Sequence, residues 1–233
     1  MTTLTETKQQ YGQPPVEIGD FTDLDLVEMQ FLQYMPIFMP ECGSLIKMPE
    51  QLFALKAFRR MLHAIAEYHG GLDQMKADGL YLYLTTRHGF ATPGNALNRP
   101  GWHCDGFGTA DINYIWWSRW GTRFAMQPFT DIDPGHVKSM KQFEEQLQPA
   151  NIRQFTDRFL YRLNPFVVHT TPEIPDPGGM RQFIKISVSP HKYNLLGNTH
   201  NYQFDYNWTM HDRDALRNDP SYGEQDFVLG GTS

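Results

Sequence analysis

Two cysteines, Cys42 and Cys104, are all that 233 residues contain, and they stand far apart without zinc-type spacing. That excludes a disulfide framework and a cysteine-rich zinc module, and it is the usage expected in a reducing compartment, so a cytoplasmic location is expected. Each thiol reads as a small buried hydrophobe. Basic charge is also short: 20 Lys and Arg against 26 Asp and Glu give a net charge of −6. No overall basic field exists to drive non-specific nucleic-acid binding, although a local basic strip remains open. No apolar run reaches the roughly 20 residues of a membrane span, so no membrane partner is expected. Internal repeats, low-complexity tracts and charge blocks are absent as well.

What is present suits one domain with a substantial core. Met1 to Val16 is polar and broken by prolines, with neither a secretory apolar core nor a basic amphipathic face, and residues 1–20 read as a flexible arm. Residues 21–229 read as a single domain: a helical part over 21–78, a strand-rich core over 79–190 and a covering segment over 191–229. Gly230 to Ser233 reads as a loose tail.

Within the helical part, Phe21 to Met39 mixes acids with large apolar residues and predicts a helix ending before Pro40. A second helix starts near Pro49 and carries a stripe of Leu52, Leu55, Phe58, Leu62 and Ile65, closed by Gly70-Gly71. From Leu80 the period changes. Leu80 to Thr86, Ile112 to Ser118, Thr122 to Pro128, Phe159 to Leu163, Phe166 to Thr170 and Arg181 to Ser189 read as strands. Between them, Gly89 to Gly101 reads as a loop, and Pro134 to Leu147 as a helix capped by Asp133 with Phe143 and Leu147 stacked four apart. Asn164-Pro165 and Pro175 to Gly179 read as turns. Helices followed by many short strands predict an α+β chain whose core is a double-sheet β barrel or jelly roll.

The chemistry concentrates in Trp102-His103-Cys104-Asp105-Gly106. On an extended segment His103 and Asp105 share a face while Cys104 points away, so two ligands for one metal sit side by side. His169, closing the run Val167-Val168-His169, offers a third. Two histidines and a carboxylate with open positions is the donor set that favours Fe(II) oxygen chemistry. It also suits catalytic zinc, so a divalent-metal hydrolase or isomerase stays open, as does a β-barrel binding protein without catalysis. His136, His191 and His200 are the rival third ligands.

Along the last strand, period two sets Arg181, Phe183, Lys185 and Ser187 on one face and Gln182, Ile184, Ile186 and Val188 on the other. The second is a core face; the first carries the cations a dicarboxylate needs. With these residues the chain resembles the Fe(II)- and 2-oxoglutarate-dependent dioxygenases, whose pattern is His-X-Asp/Glu, a distal His and then a basic residue, over about Leu80 to Ser189. The resemblance implies a double-stranded β-helix (jelly-roll or cupin-like) barrel buttressed by N-terminal helices. It implies His103, Asp105 and His169 as the iron ligands, 2-oxoglutarate and O2 as co-substrates, and hydroxylation as the outcome. Arg181 or Lys185 is the implied carboxylate anchor, each in range after His169, with Arg181 favoured because its fork matches a carboxylate. The family's frequent Arg-X-Ser does not occur here; Lys185-Ile186-Ser187 keeps the hydroxyl of Ser187 with lysine in place of arginine.

Tyr114, with Asn113, follows the first ligand pair and is a candidate to bond the co-substrate acid. Trp116 and Trp117 face opposite sides of their strand. The aromatic cluster flanked by Arg119 and Arg123 leaves a nucleotide, a flipped base or nucleic acid open as the primary substrate, alongside a small metabolite or an amino-acid residue. Asn201 to Met210, rich in aromatics, reads as a cover over the barrel mouth or a cap on the core.

Overall fold

A computed structural model describes residues 10–106, 109–133 and 135–212. The expectations for residues 1–9, for 213–229 and for the tail from Gly230 lie outside that range. Two antiparallel sheets dominate. Strands β1 (Val16–Asp20), β2 (Phe31–Phe38), β3 (Tyr81–Ala91), β4 (Ile112–Trp117), β7 (Phe159–Leu163) and β9 (Gly179–Ser189) form a six-stranded sheet in the order β1-β7-β4-β9-β3-β2. Strands β5 (Arg123–Ala125), β6 (Ile152–Gln154) and β8 (His169–Thr170) form a smaller one in the order β6-β5-β8. Helices α1 (Glu50–Phe53), α2 (Lys56–Tyr68) and α3 (Leu72–Ala77) precede β3, and α4 (His136–Gln146) follows β5. None of the described helices is long and apolar enough to cross a membrane.

The long strands follow from β-branched and aromatic runs whose alternate residues face two different environments. On one face of the large sheet, Leu82, Leu84, Tyr114, Trp116, Ile184, Ile186 and Val188 meet Phe58, Met61, Leu62 and Ile65 of α2 in the main core. Burying one such side chain contributes about 1.5–3 kcal/mol, so this layer fixes the strands that carry the opposite face. The glycines after α2 stop it as expected: Gly71 N–H donates to the Ala66 carbonyl, with φ at 80° for Gly70 and 90° for Gly71. The single helix expected from Pro49 is instead two, because Leu55 is extended between α1 and α2.

Further expectations are corrected. The arm over 1–20 is part of the fold from Tyr11 onward: Gly12 N–H donates to the Phe166 carbonyl, and β1 pairs with β7. In place of the helix expected over Phe21 to Met39, residues 21–30 are turns and irregular backbone and Phe31–Phe38 form strand β2. Pro36 interrupts any helical ladder there, and β2 lies at the sheet edge, where a missing N–H is tolerated. Strand β3 also runs on to Ala91, into the expected loop. Asp133 does not cap α4 through its own position; Gly135 precedes the helix and donates its N–H to Asp133 Oδ1. Phe143 and Leu147 pack together as expected, with Trp102 and Cys104.

Candidate metal centre and its cavity

His103 and His169 face each other across an antiparallel bridge, exchanging backbone bonds of 3.0 Å (His103 N–H to His169 O) and 2.8 Å (His169 N–H to His103 O). Directly opposed residues in such a pair send their side chains to the same side. β5 flanks His169 on its other edge, with Phe124 opposite it. Asp105, two residues beyond His103, joins the pair, and donor atoms of His103, Asp105 and His169 lie within 4.8 Å of one another. Cys104 points away into the core with Trp102 and Phe143. Among the described residues this is the one cluster of histidine, cysteine and carboxylate able to hold a metal. The carbonyl of His191 accepts from Tyr83, His200 stacks on Tyr206 with centroids 4.4 Å apart, and the side chain of His136 lies outside the described part.

The tautomers are set by the backbone. His103 Nδ1 lies 2.7 Å from the Gly101 carbonyl and His169 Nδ1 lies 3.0 Å from the Val167 carbonyl. A carbonyl can only accept, so both Nδ1 atoms carry the proton and both Nε2 lone pairs are left for a ligand. Fixing a metal-binding histidine through its other nitrogen is the usual second layer of such a site. Burial lowers the pKa of both imidazoles, that of His103 to about 3, which keeps them neutral and able to bind a cation. Burial pushes the Asp105 carboxyl up, but Lys185, His169 and His103 outweigh it and hold it well below the usual carboxylate range. Lys185 Nζ is 3.1 Å from Asp105 Oδ2 and donates at 2.8 Å to Tyr34 Oη. Burial lowers the Lys185 pKa, yet the Asp105 charge overrides it and leaves the net shift upward.

These groups open onto a cavity of about 700 Å³, lined on the sheet side by Tyr34, Thr85, Arg87, Ile115, Phe183 and Lys185 and on the loop side by Asn98, Arg99, Leu196 and Gly197. The register explains the sheet wall, since Thr85 is paired with Lys185 and Arg87 with Phe183. A shift in the β2–β3 register between Leu32 and Met35 gives Tyr34 a φ of 44°, and its N–H donates to Thr85 Oγ1. Such a bulge re-aims side chains. Tyr34, Arg87 and Arg99 are lining residues that sequence reading missed; the alternation of β3 was the available signal for Arg87.

The other expected site residues are placed as follows. Arg181 is fully buried behind the cavity wall, where Nη1 donates to the Ala96 carbonyl (2.9 Å) and Asn98 Oδ1 (2.6 Å) and Nε to the Trp120 carbonyl (3.3 Å). Its Nη2 is buried without a partner among the described residues. Ser187 donates to Asn113 Oδ1 at 2.6 Å, and neither lines the cavity. Tyr114 is on the helix face, its hydroxyl 3.0 Å from His69 Nε2, so it is corrected from a co-substrate contact to a core residue. Trp116 and Trp117 face opposite sides as expected; Trp117 Nε1 donates to Asp157 Oδ1. The stretch from Asn201 caps core residues: Phe204 packs with Met39, Tyr81 and Tyr83.

No protein-family model matches the chain, and no curated protein matches it. Among solved structures it is similar to EvdO2 from Micromonospora carbonacea var. aurantiaca, at 14% identity over 60% of this chain and 62% of that one, with a TM-score of 0.36. EvdO2 complexed with 2-oxoglutarate aligns at 13% identity and 0.35 over the same shares. A bsmA homolog from Methylobium petroleophilum PM1 aligns at 15% identity and 0.35, over 70% of this chain and 65% of that one. The non-heme monooxygenase ThoJ, a nickel complex, aligns at 15% and 0.31, over 61% and 59%. The aligned region spans about six-tenths of the length of EvdO2. Likenesses this remote carry no functional weight, and the site stands on its own geometry.

Proposed function

We propose that this chain is an Fe(II)- and 2-oxoglutarate-dependent oxygenase that hydroxylates a substrate held in the cavity, built on a double-stranded β-helix of the two sheets. The observation that carries the proposal is the cluster of His103, Asp105 and His169, with both Nε2 lone pairs free, at a cavity wall that also bears Lys185. Two imidazole nitrogens and one carboxylate oxygen, with no thiolate, fit Fe(II) and leave positions open. The bound iron would supply O2 activation coupled to decarboxylation of 2-oxoglutarate to succinate and CO2.

The chain's own residues supply the rest. Charge at the ligand set supports a dicarboxylate: a divalent metal, ionised Asp105 and the Lys185 ammonium in contact with it leave two positive charges at that end of the cavity, and Arg87 and Arg99 in the lining add to the cationic character. Lys185 is the anchor we assign, because it lines the cavity beside the ligand Asp105, whereas the guanidinium of Arg181 is engaged behind the wall. Tyr34 Oη, accepting from Lys185, orients the ammonium. Leu196, Ile115 and Phe183 are apolar wall that limits water near the metal.

Succinate formation from 2-oxoglutarate, dependent on Fe(II) and O2, is the test. The expected result is activity in the unaltered protein and its loss in His103→Ala and Asp105→Ala. Tight stoichiometric zinc with no response to 2-oxoglutarate would contradict the proposal and favour a hydrolase or isomerase.

A further inference from the structure

A file of aromatic side chains leads from the metal cavity to the surface. Tyr34 lies one lysine nitrogen away from Asp105. Its ring meets Tyr193 edge-on with centroids 5.2 Å apart; Tyr193 stacks on Tyr83 at 4.1 Å, Tyr83 on Tyr81 at 5.8 Å, and Tyr81 meets Trp208 at 5.9 Å. Trp208 is half-exposed and touches Tyr206 at 4.7 Å. The inner rings are shielded from water: Tyr83 is fully buried and Tyr81 nearly so.

Two of these phenols have a built-in proton acceptor. Tyr193 donates to Asp111 Oδ2 at 2.7 Å, and Tyr81 donates to Glu41 Oε1 at 3.1 Å. Asp111 is buried, and its Oδ1 has no partner among the described residues, so one lone-pair site is spare. A buried phenol cannot lose an electron and keep its proton without creating a costly cation; a carboxylate at hydrogen-bond distance removes that obstacle. Packing alone requires neither the carboxylates nor a file that begins beside a metal ligand.

We propose that this file is an escape route for oxidising equivalents, which carries a hole from the cavity to the surface when turnover occurs without a substrate. The proposal rests on the oxygenase reading for its natural oxidant, a one-electron oxidant formed in the cavity. Tyr34 gives that oxidant an electron and releases its phenolic proton to cavity water. Tyr193 then reduces Tyr34, which takes a proton back, while the Tyr193 proton moves to Asp111. Tyr81 then reduces Tyr193 through the Tyr83 ring stacked between them, which keeps its own electron and its proton on the His191 carbonyl. The Tyr81 proton is held by Glu41, Trp208 reduces Tyr81, and Trp208 is finally reduced by a solution reductant of the ascorbate or thiol class. As electrons return inward each carboxylate gives its proton back, so the net change is one electron from the reductant to the cavity oxidant.

The test has one arm that needs no metal. A ruthenium polypyridyl photo-oxidant attached at Leu196→Cys, on a Cys42→Ser background, injects a hole at the cavity by flash-quench, and transient absorption reads tyrosyl and tryptophanyl radicals. The expected result is a tryptophanyl signal that is lost in Trp208→Phe, with a tyrosyl signal persisting there, and also lost in Tyr193→Phe. An unchanged tryptophanyl signal in Tyr193→Phe would overturn the route. In the second arm, turnover with Fe(II), 2-oxoglutarate, O2 and ascorbate but no primary substrate is followed to inactivation. Tyr193→Phe and Trp208→Phe are expected to stop after fewer succinates than the parent, and equal totals would overturn the protective role. A parent that forms no succinate contradicts the oxygenase reading, and the photochemical arm still decides the route.

Discussion

The two faces of the six-stranded sheet come from the same strands, one residue out of step, and they have opposite contents. Ile184, Ile186 and Val188 of β9 face the helices in a largely apolar layer; Arg181, Lys185 and Ser187, from the same eleven residues, carry a guanidinium, an ammonium and a hydroxyl to the opposite, buried face. Strand β4 repeats the division, with Tyr114 and Trp116 on the helix face and Asn113 and Trp117 on the other. Buried charge is expensive unless paired. The apolar face makes that expense bearable by holding the strands in register, so that Lys185 meets Asp105, Ser187 meets Asn113 and Arg181 meets Asn98 through Nη1. Stability should therefore reside mainly on one face and chemistry on the other.

The sharpest way to break that division is to remove a metal donor. His103→Ala should abolish metal-dependent succinate formation by more than about 100-fold, beyond the 10–100-fold typical when only a supporting partner of a ligand is lost. Its thermal unfolding midpoint without metal should change little. On the helix face the expectation reverses: Ile186→Ala should cost about 2–5 kcal/mol in urea unfolding while activity per folded molecule is retained. A large activity loss there would contradict the division of labour.

Lys185→Met should raise the 2-oxoglutarate requirement roughly 30-fold, the equivalent of about 2 kcal/mol, because a buried charged contact is truncated. Arg181→Met serves as its comparison. If Arg181→Met raises the requirement and Lys185→Met does not, the anchor assignment is wrong.

Metal-free protein should show a pH signature that belongs to the cavity face. Burial lowers the folded pKa of His103 to about 3, so below the unfolded value near 6.5 the unfolded chain binds a proton the folded one does not. Stability should fall as pH drops through that window, by up to about 1.4 kcal/mol per unit for one histidine, and His103→Gln should flatten the slope. The smallest effect is expected from Tyr114→Phe, about 1 kcal/mol of stability from the lost contact with His69, with the 2-oxoglutarate requirement unchanged.

Much of this division is legible in the sequence because a strand's period is two. The faces of β9 and the opposite placement of Trp116 and Trp117 follow from alternation, and His103 with Asp105 from the same rule. The same alternation places Tyr114 with Trp116 on the core side, a signal outweighed by its closeness to the ligand pair. Depth is harder to read. Nothing in the spacing says that Arg181 sits behind the cavity wall while Lys185 lines it, because that depends on where the Ala96 to Asn98 loop crosses β9. Tyr34 was hidden for a different reason: the apolar residues of Phe21 to Met39 fit a helix as well as an edge strand, and only Pro36 argued for the strand.

The most direct test of the central claim, that His103, Asp105 and His169 with Lys185 form one site for Fe(II) and 2-oxoglutarate, is anaerobic titration followed by visible absorption. The account predicts a new band that requires both Fe(II) and 2-oxoglutarate, saturates at one equivalent of each, and is absent in His103→Ala. Stoichiometric Fe(II) binding with no band on adding 2-oxoglutarate, or a band that survives His103→Ala, would contradict it.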